Sequence, residues 1–236
     1  MARLVGTAQR TLFRSCPFSS LRTVTDSRDS ISSSLLQSRR LHAKPTSKSP
    51  FESNILRILG NEIEYRCDYA PPQQPVKKFN SFTLQDRLGE QWITLSGKFG
   101  DNEEIKIEAT MFDGFEHVPK LGDDSSGVNV RLHISLLVDI SKGEDGNKLE
   151  FVCSAWPDSL EVEKVYVLRR DRMLARPYMG PNFRNLNAKI QKEFREYLER
   201  RGVNSELSFF LHDYMMNKDR IELINWLRNV KTIVEK

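Results

Sequence analysis

Four histidines, three cysteines and a few short runs of like charge are the side chains of this 236-residue chain that could carry acid–base, nucleophilic, metal or phosphate chemistry. Their spacing gives none of them a working partner. His42, His117, His133 and His212 form no HExxH or HxxxH pair, so each is expected to be a surface or hydrogen-bonded histidine rather than a ligand. Cys16 lies near the N-terminus, and Cys67 and Cys153 lie 86 positions apart with no CxxC. Isolated thiols of this kind fit a reducing interior, where they pack as small apolar groups. Gly97-Lys98-Phe99-Gly100 lacks the GxxxxGK[ST] spacing that cradles phosphate and reads as a tight turn. No GxGxxG, GxSxG or EF-hand loop is present. No catalytic residue, metal or cofactor is therefore expected, and the chain reads as a binding protein rather than an enzyme.

The charged clusters suit partners instead. Asp123-Asp124 and Glu144-Asp145 are short acidic pairs, and Arg169, Arg170, Arg172 and Arg176 form a basic patch that would attract phosphate or RNA. Glu161, Glu163 and Asp171 beside that patch favour ion pairing and protein contact, with RNA as the alternative. Overall charge agrees: residues 1–48 hold nine Lys or Arg against two Asp or Glu, whereas residues 49–236 hold 27 against 30.

The basic excess is thus confined to the start of the chain. Up to about Arg40 it is rich in serine and has no acidic residue before Asp26. At 100° per residue Arg3, Arg10 and Arg14 share one helical face, with Leu4, Val5, Ala8 and Leu12 opposite. Residues 1–41 are expected to be a mitochondrial presequence ending near Arg39-Arg40-Leu41, with 42–48 a linker and 49–236 one domain. A chloroplast transit peptide shares the bias, but the early arginine helix favours the mitochondrion. No apolar run approaches the roughly 18 residues that span a bilayer.

Those clusters must be held by a core, for which 39% hydrophobic content suffices. Ser49-Pro50-Phe51-Glu52 is a capping-box start, and Ile55, Leu56, Ile58, Leu59 and Ile63 carry a helix to about Tyr65, before Pro71, Pro72 and Pro75. From Phe79 to Arg169 the period is two. Ile105, Ile107, Ala109 and Met111 alternate with polar residues, as do Val128, Val130, Leu132, Ile134, Leu136, Val138 and Ile140, and then Leu149, Phe151, Cys153 and Ala155. Turn residues at 122–127 and 143–147 join antiparallel strands. Beyond Pro181 helical spacing returns in a stripe from Leu186 to Leu198 that stops at Gly202; Asn204 caps another helix through Leu207, Leu211 and Met215, and a last one runs from Ile221 to Val234. Its Trp226, Leu227 and Val230 meet either a second subunit or the chain's own core.

Tyr178-Met-Gly180-Pro181-Asn-Phe183, Tyr197-Leu198-Glu199, Arg201-Gly202-Val203-Asn204, Phe210-Leu211 and Trp226-Leu227, with Glu62-Ile-Glu-Tyr65 and Leu149-Glu-Phe-Val-Cys153, together resemble the mitochondrial glycoprotein, or matrix acidic protein, family over about residues 50–236. The resemblance implies an α+β fold: a strongly twisted antiparallel sheet of about seven strands, one helix before it and two or three after, closing as a ring-shaped homotrimer. It also implies a chaperone-like matrix protein without cofactor, serving ribosomal or respiratory-chain proteins in mitochondrial translation and oxidative phosphorylation. Family members are usually markedly acidic, whereas residues 49–236 carry a balance of only −3. No N-x-[ST] sequon occurs, so no N-glycosylation is expected.

Overall fold

Ser49 opens the first helix, α1 (Pro50–Tyr69), by a reciprocal pair of bonds: its hydroxyl accepts the Glu52 N–H at 3.1 Å and the Glu52 carboxylate accepts the Ser49 N–H at 2.6 Å. The helix runs four residues past the expected end at Tyr65. Arg66 donates to Glu62 at 2.8 Å across that final stretch, and Pro71 is the first residue that forbids continuation. The computed structural model describes residues 48–119, 128–143, 147–169 and 178–236; the expected presequence lies outside them.

Period-two segments become seven strands, β1 (Lys78–Phe79), β2 (Phe82–Asp86), β3 (Trp92–Phe99), β4 (Glu103–Pro119), β5 (Val128–Lys142), β6 (Lys148–Ala155) and β7 (Leu160–Leu168). They form one antiparallel sheet in simple sequence order. The register runs Leu95↔Ile107↔Val138↔Phe151, four residues with no exposed surface, so the alternation reaches the core in step across neighbouring strands. A 3-10 turn at Phe183–Asn185 leads to α2 (Ala188–Glu199) and α3 (Ser205–Glu235). These helices cover the apolar face with Phe183, Leu198, Leu207, Leu211 and Met215, each buried side chain contributing about 1.5–3 kcal/mol.

Between α2 and α3 the chain turns in five residues. The N–H of Gly202 donates to Glu199 O and that of Val203 to Leu198 O, a nested pair that requires the left-handed backbone Gly202 supplies at φ 77°. The Asn204 side chain then accepts the Leu207 N–H at 3.1 Å. Asn204→Ala is expected to lower stability by about 1 kcal/mol in a urea titration, with Asn204→Ser recovering most of it.

Three expectations need correction. The last two expected helices are one, α3, of 31 residues. Met216-Asn-Lys-Asp-Arg220 contains no helix breaker, and its Lys218 is buried rather than solvated. Gly97, Lys98 and Phe99 lie within β3, and only Gly100 turns, at φ 62°. Gly97 is a packing glycine, since an added Cβ would stand 2.7 Å from the Phe82 ring. Finally, the inward alternation of β5 does not end in burial. Ile134 to Ile140 are covered, but Val130 is 53% exposed. Register shifts in β4 between Ala109 and Phe112, and again before Gly114, start a two-stranded extension beyond the covered sheet.

Candidate partner interface

The β4 bulge gathers the polar side chains that most resemble an active site. Asp113 Oδ1 lies 2.7 Å from His133 Nδ1, and its Oδ2 accepts the Thr110 hydroxyl at 3.1 Å. Burial alone would raise the Asp113 carboxyl, but hydrogen bonds from His133, Ser135 and Thr110 hold it below its ordinary value. The carboxylate therefore stands between hydroxyl and imidazole. In a hydroxyl–imidazole–carboxylate triad the imidazole stands in the middle, so this set is not a triad, and its bonds tie β4 to β5. The His133 ring also meets Trp156 edge-on at 4.8 Å, and Arg131 reaches from β5 to Glu116 at 2.7 Å and Asp158 at 2.6 Å. The sequence reading missed this cluster because a strand turn and a bulge bring together residues 20 apart; Asp113-Gly114 interrupting the β4 alternation was its signal.

Of the other histidines, His42 lies outside the described residues, and His117 and His212 make ordinary contacts. His212 Nε2 bonds the Ala155 carbonyl at 3.1 Å, and burial depresses its pKa despite that bond. His117 is exposed, edge-on to Phe115. Among the described residues no group of three His, Cys, Asp or Glu is placed to hold a metal ion, and no helix is long and apolar enough to cross a membrane. Cys153 is buried, which pushes its thiol up to about 12, whereas Cys67 sits half-buried between α1 and α3, 3.8 Å from Arg228. In the folded chain a maleimide should label Cys67 and spare Cys153 until urea is added, which peptide mass mapping would read.

The expected contact residues separate spatially. Asp123, Asp124, Glu144, Asp145, Arg170 and Arg172 lie outside the described residues. The strand ends that flank the two acidic pairs are at opposite ends of β5, about 50 Å apart along a strand of 15 residues. Arg169 is exposed just after Leu168, which pairs with Lys148, so it emerges at the β5–β6 turn end of the sheet. On α3, Trp226 is 58% exposed and Val230 half-buried, while Leu227 is buried within its own chain. Trp226 lines a cleft of about 490 Å³ with Leu88, Met111 and Leu223.

The face of the sheet away from the helices is polar. Ser96, Lys98, Glu104, Lys106, Asp139 and Lys148 line a shallow groove of about 630 Å³ there, with Lys148 paired to Asp139 at 3.0 Å. Charges of both signs alternate along it, which suits a hydrated protein surface better than a uniformly anionic ligand.

Residues 59–234 match the mitochondrial glycoprotein (MAM33) family. The chain is 32% identical over 198 residues to an uncharacterized mitochondrial protein of Arabidopsis thaliana, covering 78% of this chain and 76% of that one. It is 24% identical over 214 residues to the mitochondrial acidic protein mam33 of Schizosaccharomyces pombe, covering 78% of each. Among solved structures, the p22 protein of Trypanosoma brucei superposes with a TM-score of 0.63 at 20% identity, over 79% of this chain and 100% of that one. A Leishmania major protein described as a homologue of human p32 gives 0.61 at 16% identity, over 78% and 99%. Both share the fold.

Proposed function

The chain belongs to the mitochondrial glycoprotein family of the mitochondrial matrix, and from that membership we propose that it is a non-enzymatic, chaperone-like scaffold supporting mitochondrial translation and respiratory-chain maintenance. Residues 1–41 act as its removable presequence, 42–48 as a linker and 49–236 as the working domain, which assembles as a homotrimer. Ribosomal or respiratory-chain proteins are its partners, met by Asp123, Asp124, Glu144 and Asp145 at the strand ends and by Arg169, Arg170 and Arg172. Trp226, Leu227 and Val230 serve subunit contact, Leu227 from beneath.

The observation that carries this reading is the division of the sheet into one apolar face sealed by helices and one polar, mixed-charge face left open, with Asp113 interposed where a catalytic imidazole would need to be. Light scattering of the chain at micromolar concentration should give three times its 27.4 kDa mass, and a monomer there would overturn the assembly. Purification from mitochondria at native level should recover ribosomal or respiratory subunits. Recovery of mitochondrial RNA instead, lost when Arg169 is changed to Glu, would favour the RNA reading.

A further inference from the structure

Between α1 and the sheet the chain forms a strap tied at both ends. At one end the Asn217 side chain of α3 holds the Gln73 backbone twice, accepting its N–H at 2.7 Å and donating to its carbonyl at 2.9 Å. At the other, the Lys77 carbonyl accepts the Leu84 N–H of β2 at 2.9 Å. Gln74, Pro75 and Val76, between these ties, make no hydrogen bond to any described residue. Beneath them, between strap, β2 and α3, lies a cleft of about 560 Å³, a volume typical of small-molecule sites.

The walls of this cleft are apolar. Pro75 and Val76 come from the strap, Leu84 from β2, Leu88 from the turn after it and Ile221 from α3. Val76 is 51% and Leu88 69% exposed, so apolar surface here still faces water.

Charge in the cleft is one-sided. Lys77, Arg87 and Lys218 line it against Asp86 and Glu222. Both carboxylates are already engaged, Asp86 by Lys218 and Tyr214, and Glu222 by Lys218 and the Gly89 N–H. Lys77 has no ion pair among the described residues, and Arg87 makes only an exposed one, 3.3 Å from Glu90. An incoming group therefore meets two cations ready to receive it and no uncommitted anion.

We propose that this cleft binds a small amphipathic anion, a single apolar chain ending in a carboxylate, with the chain between strap and α3 and the head at Lys77 and Arg87. Burial of the chain supplies the attraction, and the cationic mouth selects the head. Lys218 is committed to Asp86 and Glu222, so it shapes the floor and leaves the head to the other two cations. Every residue involved belongs to one copy, so the site does not depend on assembly or on the scaffold reading above.

Equilibrium dialysis of the full chain against decanoate, below its micellar concentration, should retain one molecule per chain. Lys77→Glu should weaken retention about tenfold, and Val76→Glu should do the same. Lys78→Glu makes the same charge change one residue along, in β1 and outside the cleft lining, and should leave retention unaltered. Decylamine, with the head reversed, should not be retained. Circular dichroism checks folding, and the two lysine variants, both at exposed positions, decide should Val76→Glu unfold. Failure to retain decanoate, retention indifferent to Lys77→Glu, equal weakening by Lys78→Glu, or equal retention of decylamine overturns the proposal. A chain that sediments with phosphatidylglycerol vesicles yet retains no decanoate binds a lipid surface instead, and the proposal falls.

Discussion

Lys218→Ala is expected to destabilise the fold by about 3–5 kcal/mol, read as a fall in the urea midpoint at unchanged slope. The Lys218 side chain is 2% exposed, and its ammonium lies 2.6 Å from Asp86 and 2.9 Å from Glu222. Asp86 also accepts the Tyr214 hydroxyl at 2.9 Å, and Glu222 accepts the Gly89 N–H at 3.0 Å, so the cluster pins the β2–β3 turn to the middle of α3. Taking away the lysine leaves two partly covered carboxylates side by side. Combining Lys218→Met with Asp86→Asn and Glu222→Gln should lose less than Lys218→Ala alone, because no uncompensated charge remains. A loss below about 1 kcal/mol for Lys218→Ala would show that the pair is solvated. Burial alone would lower the lysine's pKa, but the two carboxylates hold it above its ordinary 10.5. Its contribution is therefore complete at neutral pH and fades only as pH rises beyond that value toward the folded one.

Gly180→Ala should be nearly as costly, at about 2–5 kcal/mol. Gly180 has φ 71°, where an alanine is strained, and an added Cβ would lie 2.5 Å from the carbonyl oxygen of Val165. The obstacle is backbone of β7, which cannot swing aside as a side-chain tip would. The expected result is a thermal midpoint lowered by several degrees. Gly89→Ala is a control with φ 83° but open space around it, and it isolates the strain from the clash.

These two sites show what was legible beforehand. Gly180 stands in Tyr178–Phe183 and Gly202 in Arg201–Asn204, the stretches that carry the family resemblance. Both are corners of the fold: Phe183 and Val203 are buried, Asn182 and Asn204 cap, and Arg201 bonds Glu103 at 2.7 Å with its guanidinium 3.4 Å over the Tyr197 ring. The diagnostic residues therefore announce architecture rather than a site. Strands and caps were readable because alternation and capping are local. Lys218 was not, since a polar residue in a helix looks solvated until Asp86, 132 positions away, is brought beside it. The Asp113–His133 tie was hidden in the same way by a bulge. On α1 the inner residues Ile55 to Ile63 explained the helix and drew attention from Phe51 and Tyr65, whose exposure only the packing of α3 reveals.

Strand order has a consequence for how such a chain comes into being. Each strand pairs with its immediate predecessor, so a polypeptide delivered N-terminus first can zip its sheet progressively as it arrives. The apolar side of that sheet nonetheless stays incompletely covered, by Phe183 and α2 alone, until α3 emerges to complete the roof. A chain delivered in that order would present apolar sheet surface to its surroundings until α3 has emerged.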